Sequence, residues 1–405
     1  MKIKYLTSII WVACLLFSMT LCYACNDDDT PKDDSEQPTE ENPDGKTEGG
    51  YLDDVDLSGI DVSNKTLKEV CEGKFLFGAA VQYSHIIDNP EGSRLGEQAL
   101  LKKHFNAVVA EGDMKWKVIH PEKEVYDWEK ADALVDFAEK NNMAVTGHCL
   151  IWHTALPDWV WKKAGGGNVT PEELKQNMKT HITTVMQRYK GRIKGWDVVN
   201  EAFNSDGTYR DTPFYQILGK EYIIWAFQCA KEADPDCELY YNDFELYHTP
   251  KRQAVLRLIG ELRDNGVELD AVGLQAHMWR TTPALDVYEN LIRTFRDAGV
   301  KVMITEWDMS FVNKDNDLYP NGLPKDVEAE WDQRVFKFFK LFLKYKDAIT
   351  RVTTWGISDS HSWRNDGCTD YPLLFDRQQE PKGAVELMMK AAIADTQLTN
   401  QKPNE

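Results

Sequence analysis

The segment 195–201 has the sequence GWDVVNE, a short and mostly apolar run that ends in an amide and a carboxylate. Consecutive apolar residues over this length are typical of a strand that is buried on both faces of a parallel sheet. Seven further runs of this kind occur, so that the predicted strands cover residues 75–81, 107–110, 144–149, 195–200, 238–242, 271–275, 302–305 and 352–357.

Helical patterns separate these runs. The pattern at 171–189 follows Thr170, a favourable N-cap, with Pro171 in the first turn and Glu173 placed for a capping box. A second pattern, at 329–345, places apolar residues at helical spacing, which predicts a face that packs on the core: Trp331, Val335, Phe338, Phe339 and Phe342. The strict alternation of strand and helix predicts an α/β protein.

The polar residues favour a closed barrel over an open sheet. In (β/α)8 TIM barrels the catalytic groups lie at the carboxyl ends of the strands. Polar clusters fall at the ends of the predicted strands: Glu111/Lys115, His148/Trp152/His153, Asn200/Glu201, Asn242/Asp243, Gln275/His277, Glu306/Asp308 and Trp355/Asp359. We therefore predict a (β/α)8 TIM barrel with its site at this end.

The N-terminal residues have the composition of an export signal and a linker. Residues 1–24 carry Lys2 and Lys4 before an apolar stretch that is too short to span a bilayer. Ala24 precedes Cys25 as at a bacterial lipoprotein cleavage site, so we expect a lipid on Cys25, with plain secretion as the alternative. The predicted domains are a signal peptide at 1–24, an acidic disordered tether at 25–56, the catalytic barrel at 57–397 and a C-terminal tail at 398–405.

The location of the protein is predicted from the residues after Cys25. Residues 26–29, NDDD, resemble the acidic signal that directs Bacteroides-type lipoproteins to the cell surface. We therefore expect an outer-membrane or cell-surface lipoprotein that faces outward, with a secreted or periplasmic enzyme as the alternative.

The net charge of −19 argues against nucleic acid and anionic membranes as partners. Residues 26–56 contain 13 acidic residues and 2 lysines, a net charge of −11 that leaves −8 for the rest of the chain. We expect a monomer that contacts the membrane through its lipid anchor only.

Five cysteines remain beyond Cys25, and their spacing does not suggest a metal site. They are odd in number and scattered, so we expect buried or free thiols, with one disulfide possible: Cys71, Cys149, Cys229, Cys237 and Cys368.

A second strand pattern also ends in a glutamate. The segment 302–308, VMITEWD, places Glu306 where the segment 195–201 places Glu201. A retaining glycosidase needs two carboxyl groups about 5–5.5 Å apart, one to protonate the leaving oxygen and one to attack the anomeric carbon. Glu201 and Glu306 are therefore candidates for these roles.

Over residues 61–395 the chain resembles glycoside hydrolase family 10, the β-1,4-xylanases. Seven motifs occur in the order found in the family: FNAVVAEGDMKW (105–116), GHCLIWH (147–153), WDVVNE (196–201), YNDF (241–244), GLQAH (273–277), ITEWD (304–308) and WGISDSHSW (355–363). The resemblance implies a retaining endo-1,4-β-xylanase that acts on xylan and xylo-oligosaccharides without a metal or organic cofactor.

The resemblance also implies a role for each matching residue. Glu201 corresponds to the acid/base, Glu306 to the nucleophile, and Asn200 to a residue that binds the 2-hydroxyl of the reacting sugar. His277 should bond the nucleophile and Asp308 should hold His277, so that Glu306 stays ionised while Glu201 stays protonated. The residues expected to contact sugars are Gln275 and Trp152 in the reacting subsite, His148, Lys115 and Glu111 on the glycone side, and Trp355 and Trp363 as walls of the cleft.

The chain departs from the family pattern at three positions. Gly112 stands where the family usually has Asn, which removes one expected glycone contact. Trp307 replaces a Leu and should point away from the cleft, and Cys149 replaces a Thr in a buried position.

Two other functions fit parts of the pattern. An inactive barrel could bind glycans at the cell surface, although both glutamates, Asn200 and His277 are present. A related retaining β-1,4-glucanase is the other alternative, and it would require room beside the walls of the cleft for the extra hydroxymethyl group of glucose.

Overall fold

In the residues that the computed structural model describes, 50–88, 94–312 and 317–401, the strands form a parallel barrel surrounded by helices. The signal peptide, Cys25 and the first part of the predicted tether lie outside the described residues. The strands are β1 Leu76–Val81, β2 Ala107–Ala110, β3 Ala144–Ile151, β4 Gly195–Asn200, β5 Glu238–Asp243, β6 Ala271–Leu274, β7 His277–Trp279, β8 Lys301–Ser310 and β9 Ile349–Thr354.

Eight of these strands close the barrel, as predicted. Neighbouring strands pair in parallel from β1 to β6, β6 pairs with β8, β8 with β9, and β9 returns to β1. The short strand β7 pairs with the outer half of β8, where His277 lies opposite Asp308. The observed fold is therefore the predicted (β/α)8 barrel with one short strand added at its mouth.

The helices lie outside the sheet. Their bounds are α1 Leu67–Val70, α2 Tyr83–Ile86, α3 Leu95–His104, α4 Trp116–Ile119, α5 Glu129–Lys140, α6 Pro171–Arg188, α7 Pro213–Leu218, α8 Glu221–Ala233, α9 Thr249–Asp264, α10 Leu285–Asp297, α11 Lys325–Lys344 and α12 Gly383–Gln401. In the described part of the chain, no helix combines the length and apolar composition needed to cross a bilayer.

The predicted N-cap of α6 and the predicted core face of α11 are confirmed, whereas the reciprocal bond of a capping box is not seen among the described contacts of α6. The hydroxyl of Thr170 accepts a hydrogen bond from the backbone N–H of Glu173, so it caps α6. The apolar stripe of α11 is buried at all five predicted positions: Trp331, Val335, Phe338, Phe339 and Phe342. Burying this stripe against the sheet removes a large apolar area from water, which is the main driving force for docking the helix.

Trp307 and Cys149, two of the residues that differ from the family pattern, lie where they were predicted to lie. Trp307 is 2% exposed, and its ring packs edge-on against Phe342 of α11, away from the barrel interior. Cys149 is also buried. Cys71, Cys149, Cys229 and Cys237 are free thiols in the structure.

Both predicted boundaries of the barrel need correction. The predicted tether extends to residue 56, but Leu52 is buried, Tyr51 donates a hydrogen bond to Asp395 of α12, and Asp53 pairs with Lys340 of α11. The barrel therefore begins by about residue 50, because two apolar side chains among the acidic residues are enough to dock this segment. At the other end α12 runs to Gln401, four residues beyond the predicted limit of 397.

The last strand lies three residues earlier than predicted. Residues 352–357 are the more apolar run, but β9 spans Ile349–Thr354 and includes Arg351. The side chain of Arg351 is 3% exposed and lies inside the barrel with Asp197 and Glu306. A charged residue that points into the barrel interrupts the apolar pattern, which explains why the strand was predicted three residues too far along the chain.

Candidate active site

Glu201 and Glu306 come together at the mouth of the barrel, where both are almost fully buried. The amide of Asn242 donates to Oε1 of Glu306 over 2.7 Å, while its backbone carbonyl accepts from the N–H of Glu201 over 3.0 Å. Gln275 does the reverse: its amide donates to Oε1 of Glu201 over 2.8 Å, and its carbonyl accepts from the N–H of Glu306 over 2.9 Å. Asn242 on β5 and Gln275 directly after β6 thus fix the two carboxylates relative to each other.

The carboxylate of Glu201 is surrounded by N–H donors. Trp152 donates through Nε1 to Oε2 over 2.9 Å, and Gln275 binds the other oxygen. Burial raises the pKa of Glu201, but these two hydrogen bonds and the charges of His153 and Arg210 outweigh it and leave the pKa below its ordinary value. In the free cleft both oxygens of Glu201 accept from N–H donors, which favour the anion over the protonated form that the resemblance implies.

Glu306 lies in a chain of charged groups. The His277 ring is 3.1 Å from Oε2 of Glu306 through Nε2 and 3.0 Å from Oδ2 of Asp308 through Nδ1. Burial lowers the pKa of His277, but the two carboxylates outweigh this and raise the pKa to about 9. His277 is therefore protonated near neutral pH and donates to both carboxylates.

Asp308 has a further partner that the sequence did not predict. Arg364 binds Oδ1 of Asp308 through Nε over 2.8 Å, and both side chains are buried. Burial raises the pKa of Asp308, but Arg364 and His277 outweigh it and lower the pKa to about 2. Asp308 therefore stays ionised and holds His277 in position.

The predicted sugar-binding residues line the rim and the adjoining interior of the mouth. Lys115 lies 4.4 Å from the centre of the Trp152 ring, and Gln82 donates to the carboxylate of Glu111 over 3.0 Å. Burial raises the pKa of Glu111. Because these side chains lie at the carboxyl ends of β1 to β3, they extend the site to one side of Glu201.

The aromatic walls and His148 are also held by specific contacts. His148 bonds Asp197 over 2.9 Å, and its ring lies edge-on to that of Trp355 at 5.4 Å. Trp363 is 36% exposed, and its Nε1 donates to Asp308 over 2.8 Å. The exposed ring of Trp363 is therefore fixed to the same aspartate that holds His277.

Asn200 lies beside the acid/base candidate, as predicted. Its side-chain oxygen accepts from the amide of Asn242 over 2.9 Å, so Asn242 joins Asn200 to Glu306. Asn242 itself is fully buried. The structure places it inside the mouth of the barrel, where it orients Glu306.

Three contributors to the site were missed in the sequence: Gln82, Asn242 as a partner of Glu306, and Arg364. A signal for Asn242 exists in Gly273 on the next strand, where a Cβ would lie only 2.3 Å from the Asn242 oxygen. The sequence offers no comparable signal for Arg364, because its partner Asp308 is 56 residues away along the chain.

This geometry defines a glycoside hydrolase that works with two carboxyl groups. Residues 66–391 match the model of glycosyl hydrolase family 10, and the chain belongs to this family.

Curated relatives and solved structures agree with this membership. The chain is 42% identical over 355 residues to endo-1,4-beta-xylanase A of Xylanibacter ruminicola, which covers 82% of this chain and 95% of that protein. It is 39% identical over 342 residues to a beta-1,4-xylanase of Dictyoglomus thermophilum, covering 83% and 92% of the two chains. The structure of a GH10 endoxylanase from a sugarcane soil metagenome superposes with a TM-score of 0.76 at 38% identity, over 82% of this chain and 99% of that one.

Proposed function

We propose that the chain is a retaining endo-1,4-β-xylanase in which Glu306 is the nucleophile and Glu201 the acid/base. The observation that carries this proposal is the buried pair of glutamates joined through Asn242 and Gln275, with the His277 ring in contact with Glu306. The names of the relatives, which are xylanases, support xylan as the substrate.

In the first step Glu306 attacks the anomeric carbon while Glu201 gives a proton to the leaving oxygen, so that a xylosyl ester forms on Glu306. Asn242 and His277 each hold one oxygen of Glu306. Orienting the carboxylate in advance lowers the entropic cost of the attack.

In the second step Glu201 takes a proton from water, and the resulting hydroxide equivalent cleaves the ester with overall retention. The donors from Trp152 and Gln275, which lower the pKa of Glu201, suit this base role. For the first step Glu201 must bind a proton, and exclusion of water by the bound sugar favours that neutral form.

The substrate class is tested by comparing reducing-sugar release from xylan and from carboxymethylcellulose. Xylose lacks the hydroxymethyl group of glucose, and Trp355 and Trp363 stand beside the His277 ring at 6.5 and 5.1 Å. We expect activity on xylan with internal cleavage products and little on the glucan. Equal activity on both polymers would favour a β-glucanase, and no release from either would favour a glycan-binding protein.

The first described residues, from residue 50, join the barrel through two side-chain contacts. Tyr51 and Asp53 are bound to Asp395 and Lys340, near the carboxyl ends of α12 and α11. In this fold those helix ends lie at the amino ends of the strands, whereas the active site lies at their carboxyl ends. We propose a monomeric surface lipoprotein with its lipid on Cys25, which the apolar segment before Ala24 and Cys25 and the acidic residues 26–29 support.

Replacing Cys25 with Ser should move the enzyme from the membrane fraction to the soluble fraction without loss of specific activity. The barrel has its own core, so it does not need the anchor to fold. Fractionation followed by xylanase assay of each fraction measures this result. Cys22→Ser, three residues away, is the control and should leave the enzyme in the membrane fraction. Retention of Cys25→Ser on the membrane would contradict the anchor.

Gly112→Asn should raise kcat/KM on xylotriose and xylotetraose by about two- to tenfold, the worth of one added hydrogen bond. Gly112 does not have a positive φ, and no atom lies within 4 Å of a Cβ placed there, so a Cβ can be added without strain. Gly112→Ala is the control, because it adds the Cβ without an amide. A fall in kcat/KM, or an equal gain in the Ala variant, would show that this position does not contact the glycone.

A further inference from the structure

Glu201 has an unusual backbone conformation for a residue with a side chain. Its φ is 56°, in the left-handed region that glycine adopts more easily. Residues held in this region persist only where the surroundings determine the conformation, and they occur often at active sites. The direction in which the Glu201 side chain leaves the barrel wall therefore depends on what holds its backbone.

Strand β5 holds this backbone from one side. The N–H of Glu201 donates to the carbonyl of Asn242, and the N–H of Ala202 donates to the phenolic oxygen of Tyr241, each over 3.0 Å. Two successive peptide groups are thus bound, one by the main chain and one by a side chain.

The Tyr241 hydroxyl is itself fixed by a buried ion pair. It donates to Oδ2 of Asp243 over 2.5 Å, while Oδ1 of Asp243 lies 2.7 Å from the ammonium of Lys251 on α9. The side chains of Asp243 and Lys251 are fully buried. Removing one partner of such a pair leaves an uncompensated charge, so the pair strongly determines the position of Asp243.

We propose that Tyr241, Asp243 and Lys251 are positioning residues for the acid/base. They fix the left-handed turn at Glu201 through Ala202, whereas Trp152 and Gln275 fix only the far end of the side chain. This inference rests on the role proposed for Glu201. It assigns a purpose to three buried polar groups that do not contact the reacting carboxylates in the structure.

The test is Tyr241→Phe, which keeps the ring in its contact with Phe203 and removes the hydroxyl. A displaced acid/base transfers its proton poorly, so kcat on xylo-oligosaccharides should fall by roughly ten- to a hundredfold. On 2,4-dinitrophenyl β-xylobioside, whose leaving group needs no proton, the rate constant of glycosyl-enzyme formation should fall less than about threefold. A general loss of folding would lower both rates together.

Tyr240→Phe is the matched control. Tyr240 is equally buried on the same strand, but its hydroxyl donates to Glu238 at the opposite end of the strand. Any change in rate in Tyr240→Phe should be equal for substrates with poor and activated leaving groups. If Tyr241→Phe is insoluble, Asp243→Asn is the substitute, because it keeps an acceptor for the tyrosine and weakens the pairing with Lys251. The loss of rate in this variant should again be larger for poor leaving groups, but smaller overall.

Equal losses on both substrates, or no loss, in folded Tyr241→Phe would overturn the positioning role. The Glu201→Ala variant separates this failure from a failure of the proposed mechanism. If the loss of rate in Glu201→Ala is larger for poor leaving groups and the loss in Tyr241→Phe is the same for both kinds of substrate, only the positioning role is wrong. If the loss of rate is the same for both kinds of substrate in both variants, the acid/base assignment itself fails.

Discussion

Glu306→Ala should lower kcat on xylan by several orders of magnitude, on the order of 10⁴-fold, because no covalent intermediate can form. The variant keeps the rest of the site, since Asn242 retains Asn200 and His277 retains Asp308 as partners. The measurement is kcat on xylan and on 2,4-dinitrophenyl β-xylobioside, where both substrates should be affected because both need the nucleophile.

Azide distinguishes loss of the nucleophile from loss of structure. A small anion can occupy the space left by the carboxylate, so added azide should restore turnover of the activated xylobioside and give the α-xylobiosyl azide. Glu172→Ala, an exposed glutamate at the start of α6, is the control and should match the parent enzyme. Retention of a tenth of the parent activity by Glu306→Ala would show that another group is the nucleophile.

Glu201→Ala should lower kcat on xylan by roughly 10²- to 10⁴-fold, the usual worth of general acid–base catalysis. With 2,4-dinitrophenolate as leaving group, formation of the intermediate should be almost unaffected because no proton is needed. The second step lacks its base, so the intermediate should accumulate and appear as a burst of dinitrophenolate.

The contrast with Glu111→Ala tests the role of Glu201 as an acid. Glu111 is also a carboxylate at the mouth of the barrel, held by Gln82, and it is predicted to contact the glycone rather than the leaving group. Its removal should lower kcat/KM for good and poor leaving groups by the same factor. If Glu201→Ala lost the same factor in rate on both substrates, Glu201 would be a residue that binds sugar and not the acid.

Much of the fold was predictable because each barrel strand is short, apolar and followed by polar residues. The segment 195–201 is an example: the strand predicted at 195–200 is β4, and Glu201 follows it at the mouth. Prediction failed where a residue faces the polar interior of the barrel. Arg351 belongs to β9 although its charge breaks the apolar run, because it lies with Asp197 and Glu306 inside the barrel.

The candidate site was predictable as a set of residues but not as a set of contacts. Single motifs locate Glu201 and Glu306, whereas the bridges through Asn242 and Gln275 depend on the registers of four strands. The same limit applies to the electrostatic environment of Glu201. Its pKa is lowered by donors that come from other strands and loops, above all Gln275 and Trp152.

Trapping the intermediate tests the central claim most directly. A 2-deoxy-2-fluoro-β-xylobioside with a dinitrophenyl leaving group forms the glycosyl-enzyme, and the fluorine slows its hydrolysis. Proteolysis and mass spectrometry of the inactivated protein should find one fluoroxylobiosyl group, attached to Glu306 in the sequence ITEWD (304–308). A label on Glu201 or on any other residue, or an active enzyme that never acquires a label, would contradict the account.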